Sequence, residues 1–302
     1  MSSPAIQWYP GHIAKAEKAL LEQLKRIDVV LEVRDARIPL ATRHPKIDQW
    51  IGAKERLLVL NRVDMIPASV RDDWDTWFRQ QGTPVLFTNA QQGKGVAGLA
   101  KAAQAKGKTM NQRRHQRGLR PRPVRAVVLG FPNVGKSALI NRLLKRKVVA
   151  SARRPGVTRQ LRWVRISDEL ELLDAPGVLP AQLTDQQAAL KLAICDDIGE
   201  AAYDDELVAA TFVEFLKQDH AQLPSRTADQ PSALEALATR YGIHPTAYSG
   251  EAYLMQMSQA RYQGDRQRAA RQLLTDYRKG VLGTLALEYP PMVPPSTEAG
   301  SA

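Results

Sequence analysis

The stretch VRAVVLGFPNVGKSALI, residues 124–140, joins an apolar run, Val124–Leu129, to a glycine-rich turn and then to the start of a helix at Ser137-Ala138-Leu139. Within it, Gly130-Phe131-Pro132-Asn133-Val134-Gly135-Lys136-Ser137 satisfies the spacing G-x-x-x-x-G-K-[ST], and it sits between strand and helix, where that pattern has its physical meaning. In such a loop, backbone N–H groups wrap a phosphate and the helix N-terminus adds partial positive charge. Lys136 would neutralise β- and γ-oxygens, and the Ser137 hydroxyl would ligate Mg²⁺. The competing reading, an ordinary strand-to-helix turn with a chance lysine and serine, has to explain the whole eight-residue pattern and does so poorly.

Working outward, three further apolar runs precede this loop, at Val29–Val33, Leu57–Leu60 and Val85–Phe87, with a helix-like segment at Ser69–Gln80 between the second and third. Strands alternating with helices predict an α/β domain with a parallel-rich sheet. Ahead of them, Ile13, Leu20, Leu24 and Ile27 recur at helical spacing, predicting an amphipathic helix after Trp8-Tyr9-Pro10-Gly11-His12. Residues 106–125 carry eight Lys and Arg, no acidic residue, and Gly and Pro that discourage regular structure, so a flexible basic connector is expected there. Beyond the loop, Leu161–Ile166 and Leu170–Leu173 form a hairpin-like pair leading into Asp174-Ala175-Pro176-Gly177. From about Thr184 the pattern is helical only, at Asp185–Ile194, Asp204–Lys217, Ser232–Tyr241 and about Asp265 to Lys279. The expected division is therefore 1–183 for the α/β domain, 184–288 for an all-α domain, and 289–302 for a Pro-rich disordered tail.

The phosphate loop alone implies a nucleoside triphosphate, and the base is read elsewhere. Asn61-Arg62-Val63-Asp64, directly after Leu57–Leu60, resembles the guanine-specificity motif N-K-x-D. A carboxylate such as Asp64 accepts both the ring N–H and the exocyclic amine of guanine, a donor pair adenine does not present. Arg62 replaces the usual Lys, which lies along the base and braces the phosphate loop; Arg is larger and forked. Thr88-Asn89-Ala90 resembles the element whose backbone N–H, here that of Ala90, meets the guanine carbonyl; against the reading of Asn61 and Asp64, Asn-x-x-Asp after a strand also occurs as a plain turn. Downstream, Arg154-Pro155-Gly156-Val157-Thr158 resembles switch I, with Thr158 on Mg²⁺ and the γ-phosphate. Asp174-Ala175-Pro176-Gly177 resembles D-x-x-G, with Asp174 holding Mg²⁺ through water and the Gly177 N–H on the γ-phosphate. The resulting GTP-contacting set is Asn61, Arg62, Asp64, Asn89, Ala90, Asn133, Val134, Gly135, Lys136, Ser137, Ala138, Thr158 and Gly177. Base-reading elements precede the phosphate loop here, whereas in ordinary GTPases they follow it. A circularly permuted P-loop GTPase (Ras-like) domain explains the order, because joining neighbouring termini and cutting elsewhere preserves the spatial contacts. The helical domain then hangs from switch II, where loss of the γ-phosphate would reposition it.

The 302 residues carry a formal net charge of +12, which suggests a polyanionic partner, nucleic acid before membrane, against the plainer reading of a charged, soluble surface. Cys195 is the only cysteine, so an intrachain disulfide and a Cys-based zinc cluster are both excluded. Lys15, Lys18, Lys25 and Arg26 interrupt the N-terminal stretch, which lacks a signal-peptide pattern, and no run approaches the roughly 20 apolar residues of a membrane helix. A cytoplasmic protein without a membrane partner is expected.

These motifs in this order, with Trp8-Tyr9-Pro10-Gly11-His12, Asp35-Ala36-Arg37-Ile38-Pro39 and the late Leu273-Leu274-Thr275-Asp276-Tyr277-Arg278-Lys279-Gly280, resemble the YlqF (RbgA) family of ribosome-biogenesis GTPases. The resemblance implies a factor of late large-subunit (50S) assembly that hydrolyses GTP with stimulation by the particle and contacts ribosomal RNA through the helical domain. A monomer is expected when it is free. Val178 follows D-x-x-G where many GTPases carry a water-orienting Gln, and the resemblance makes His12 the candidate for positioning the attacking water. Without it, His12 reads as a surface or packing residue. Asn133 resembles the Asn that helps hold K⁺ beside the phosphates in potassium-stimulated GTPases. Pro180-Ala181-Gln182 lacks the Trp usual there in the family. The reading from another functional class is an RNA-binding assembly scaffold that binds GTP and scarcely hydrolyses it, which Val178 and Arg62 both permit. A metabolic ATPase would have no need of Asp64.

Overall fold

The structure is a computed structural model describing residues 13–144, 161–177, 179–180, 183–199, 202–222 and 232–291. His12, the switch I stretch through Thr158, Val178, Ala181, Gln182 and the tail from 292 onward lie outside the described residues.

Six strands form one sheet: β1 (Val29–Asp35), β2 (Glu55–Asn61), β3 (Val85–Thr88), β4 (Val124–Leu129), β5 (Arg162–Ser167) and β6 (Leu170–Asp174), in spatial order β3-β2-β1-β4-β6-β5. All neighbours are parallel except the β5–β6 hairpin at the edge. All seven residues of β1 are buried, Val29, Val30, Leu31 and Val33 in the apolar core and Glu32, Arg34 and Asp35 in ion pairs. From β1 the chain steps outward to β2 and β3; it then returns to β4 on the other side of β1 and steps outward again. The carboxyl ends of β1 and β4 therefore meet at a topological switch point, where ligands bind in open α/β sheets.

Helices α1 (Ile13–Leu24), α2 (Ile47–Ile51), α3 (Ala68–Gln80), α4 (Val96–Gln116) and α5 (Lys136–Leu143) belong to the sheet region. Leu20 and Leu24 of α1 pack with Val30, Val127 and Leu173 on one face of the sheet. On α3, Val70, Trp74 and Phe78 cover Leu58 and Leu60.

The expected flexible connector is in its first half the end of α4, which runs 21 residues to Gln116. Gly107, read from the sequence as a helix breaker, is instead the point where α4 crosses β4: a Cβ there would stand 1.8 Å from Val124 Cγ2. Close packing outweighs the roughly 1 kcal/mol helix penalty of glycine. Gly118, at φ +70, ends the helix, and Leu119 N–H donates back to Arg114 O in a Schellman-type cap.

The C-terminal region is helical: α6 (Gln186–Ile194), α7 (Asp205–Gln222), α8 (Ala233–Tyr241), α9 (Gly250–Arg261) and α10 (Arg266–Arg278). Its starts were legible as caps. Asp185, Asp265 and the Ser232/Glu235 capping box each satisfy an N-terminal N–H. Helix α9 escapes the sequence reading because it opens on a glycine. A Cβ at Gly250 would lie 2.1 Å from Ala210 O, so α7 and α9 touch there backbone to backbone. One contiguous apolar cluster runs from Leu31, Val33 and Val128 of the sheet to Leu192, Phe212, Leu273 and Tyr277 of the helices. The chain then turns back. Leu285 N–H donates to Met65 O and Leu287 N–H to Arg37 O, so the last residues assigned to the helical region lie along the loops following β1 and β2.

Candidate nucleotide site

The phosphate-loop residues leave β4 at the switch point and enter α5. Two glycines are required by contact. A Cβ at Gly130 would be 2.2 Å from Val33 O, and one at Gly135, which has φ +97, would be 2.2 Å from Asn61 Nδ2. Asn133 also takes a left-handed conformation, φ +55, tolerable for Asn. The result is a tight loop seated on the end of β1 and against the end of β2.

Asn61 holds three segments together. Its Nδ2 donates to Val134 O at 2.8 Å, while Oδ1 accepts from Thr88 Oγ1 and from the Ala90 N–H, each at 3.0 Å. The Ala90 N–H, expected to meet a guanine carbonyl, is thus already engaged by Asn61, because the turn after β3 closes onto β2. Asn89 is buried and shapes the same turn, accepting the Gln92 N–H at 2.9 Å. Arg62, in a left-handed conformation at φ +63, sends its fork two ways: to Asn133 O at 2.5 Å and to Asp35 Oδ2 at 3.2 Å. Asp64 follows on a single 3₁₀ turn, Val63–Met65, with its carboxylate exposed.

Lys136 is buried and donates to Gly130 O at 3.1 Å and Phe131 O at 2.6 Å. Burial pulls its pKa down to about 8, against the opposing pull of Asp174 and Asp197. At the end of β6, Asp174 is driven up to about 6 by burial, with Lys136 and Arg162 opposing, and its Oδ1 has no partner among the described residues. Of the two groups, the carboxylate oxygen of Asp174 is the hard oxygen ligand that a divalent cation such as Mg²⁺ takes, while Lys136 supplies positive charge. Gly177 rests on the phosphate loop, since a Cβ there would be 2.7 Å from Pro132 Cα. Val134 and Ala138 flank the loop's glycine and the first turn of α5, with Val134 buried.

Behind the loop lies a charge cluster that motif reading missed. Arg37 Nε and Nη2 grip both oxygens of Asp35 at 3.0 and 2.7 Å, and Nη2 also donates to Cys195 O at 3.0 Å. Burial alone would raise Asp35; Arg37 and Arg62 outweigh it and hold the carboxyl below its usual range. Asn133 Nδ2 donates to Asp196 O at 2.6 Å. Asp197 is wholly buried with neither oxygen partnered among the described residues, and burial, reinforced by Asp35, pushes its pKa well up. No local pattern in Cys195-Asp196-Asp197 points to this; only packing of the end of α6 behind the loop does.

Arginine positions of α10 are largely engaged. Arg278 donates to Ile194 O at 3.0 Å and to Ala193 O at 2.8 Å, capping α6, while Arg271 and Arg266 pair with Asp205 and Glu206. In these pairs the Arg266 and Arg271 side chains stay 46% and 61% exposed, so of the three it is Arg278 that is drawn into helix packing.

A phosphate loop at the switch point of a mostly parallel sheet, with N-x-x-D and its companion turn earlier in the chain, defines a P-loop GTPase of permuted element order. A family model described as "50S ribosome-binding GTPase" matches residues 125–221. Ribosome biogenesis GTPase A of Bacillus cereus is 40% identical over 215 residues, 71% of this chain and 73% of that one. Its counterpart in Bacillus pumilus is 35% identical over 244 residues, 78% and 86% of the two chains. The chain belongs to the ribosome biogenesis GTPase A (YlqF/RbgA) family. A crystal structure of GNP-bound YlqF from Thermotoga maritima superposes with a TM-score of 0.61 at 24% identity, covering 92% of this chain and all of that one, and so shares the fold.

Proposed function

We propose that this GTPase acts in the cytoplasm in late assembly of the large ribosomal subunit, changing its contacts with the particle and its RNA as GTP is hydrolysed. The observation that carries the reading is Asn61. One buried amide ties the phosphate loop to both base-side loops, so nucleotide binding and base selection share a single framework.

In this reading Asp64 selects guanine, Arg62 and Asn61 brace the loop, and Lys136 moves from the Gly130 and Phe131 carbonyls to the phosphates. Ser137, Asp174 and Thr158 would hold Mg²⁺, which would supply charge neutralisation to the phosphates, and the Gly177 N–H would meet the γ-phosphate. Asp174 Oδ1, without a partner among the described residues, supports that assignment. Asn133 helps hold K⁺; with Nδ2 on Asp196 O, its Oδ1 remains the atom suited to a cation. His12 positions the attacking water. The free protein is a monomer.

The test is GTP turnover in K⁺ buffer with and without purified large ribosomal subunits, for the wild type and His12→Ala. Stimulation of the wild type and loss of turnover in a variant that still binds GTP are expected. An unstimulated wild type matched by the variant would remove His12's role and favour a binding scaffold.

A further inference from the structure

The end of α4 lies on the surface, with Met110 packed against the core and several of its cations without an ion pair among the described residues. Buried positions of this helix are Val96, Leu99, Ala103 and Gly107; from Lys108 to Gln116, about 13 Å of helix, none is buried. This segment is held stiffly. Asn111 exchanges two hydrogen bonds with the Arg122 backbone, at 2.9 and 3.1 Å, Arg114 donates to Arg120 O at 3.0 Å, and Arg122 clamps the Asp28 carboxylate at 2.7 and 2.8 Å.

Of the carboxylates nearby, Glu55 pairs with Lys106, Asp28 with Arg122, Glu171 with Arg125 and Asp168 with Arg165, while Glu169, which lines the same groove as Lys108, has no ion pair among the described residues. Lys108, Arg113, Arg117 and Arg120 remain exposed and form no ion pair among the described residues. Between Arg117 and Arg120 in the chain stands Leu119, 49% exposed. A Schellman cap normally covers this residue with an apolar one three places from the helix end, but that place is Arg114.

We infer that this tip, Lys108 to Arg120, is the arm that grips structured RNA. Four cations on a rigid scaffold suit a phosphate backbone without an ordering cost, and the interspersed Thr109, Gln112, His115 and Gln116 offer hydrogen bonds for phosphate and 2′-hydroxyl oxygens. A membrane surface fits poorly, because a single leucine is not an apolar helix face. The inference rests on the RNA-contacting part of the proposed function and places a contact in the sheet region, distinct from α10, where Arg266 and Arg271 already pair with Glu206 and Asp205.

The test titrates a roughly 20-base-pair RNA duplex against the full chain at several salt concentrations, with poly-glutamate as a competing polyanion. The fourfold variant Lys108→Gln, Arg113→Gln, Arg117→Gln, Arg120→Gln is compared with wild type and with Arg266→Gln/Arg271→Gln on α10. The expected result is an affinity loss of tenfold or more in the arm variant, with the salt slope shallower by about 3. GDP affinity and basal GTP turnover should be unchanged, and the α10 variant should keep its RNA slope. An arm variant that binds like wild type, an α10 variant that alone loses binding, or equal binding to poly-glutamate would overturn the inference while leaving the GTPase reading intact. A wild type that binds neither the duplex nor large ribosomal subunits would overturn both.

Discussion

Asn61 donates and accepts only within the protein, so its part is to shape the site rather than to read the base. Asn61→Ala strands a buried Val134 carbonyl and frees the Ala90 and Thr88 donors, at an expected cost of about 2–3 kcal/mol. Thermal unfolding and GDP titration measure it: a lower melting temperature together with at least tenfold weaker GDP binding. Gly135→Ala places a methyl 2.2 Å from the same amide at φ +97, and should abolish GDP binding in a chain that retains its far-ultraviolet circular dichroism. Cys195 gives a pH prediction. Burial is the main reason its thiol is pushed up to about 12, with nearby Asp35 and Asp197 adding and Arg37 opposing. The native thiol therefore stays neutral at pH 8–9, and iodoacetamide should modify it only as fast as the protein unfolds. Because its folded pKa exceeds the unfolded one, the stability it contributes is present below about pH 9 and is lost as pH rises toward 12. Denaturant midpoints of wild type should fall toward, or below, those of Cys195→Ala over that window.

At the scale of elements, the junctions between α6, α10 and the returning C-terminal segment decide how the helices meet the sheet. Arg278 closes the C-terminus of α6 by donating to two of its last carbonyls, a role that a lysine's single ammonium fills poorly. Arg278→Lys should cost about 1–2 kcal/mol in urea unfolding, with GTP affinity little changed. Glu288 is buried and accepts the Leu40 N–H at 2.7 Å and the Ala41 N–H at 3.2 Å, with Lys191 at 3.3 Å. Sequence reading placed Glu288 at the very end of the helical region. No periodicity in residues 282–288 could show that they return 248 positions to cap the loop after β1.

Across the whole molecule, the apolar cluster shared by sheet and helices argues for one cooperative unit despite the two composition patterns. All five tryptophans precede residue 184, so fluorescence reports the sheet region while circular dichroism weights the helices. Their denaturation curves should coincide; a helical transition resolved from the fluorescence one would show that the two parts melt independently. Asp196 O on Asn133 and Cys195 O on Arg37 place the end of α6 directly behind the phosphate loop. A nucleotide-dependent rearrangement would act through this contact as well as through the switch II connection. Small-angle scattering that is identical for GDP and GTP-analogue forms would count against any such rearrangement.

Strands β1 to β6, the phosphate loop and most helix starts were readable because each depends on nearby residues: apolar runs for buried strands, glycines at forced turns, and Asp or Ser at caps. So was the permuted order, since motif order is a property of the chain itself. What only the tertiary structure decided are the outcomes of contacts distant in sequence. Gly107 lies inside a helix where α4 presses on Val124, Ala90 gives its N–H to Asn61, and three arginines of α10 pair with Asp205, Glu206 and the end of α6. Charge counted along a chain records how many cations there are. Whether a carboxylate or carbonyl has already claimed each one is settled only when the chain is folded.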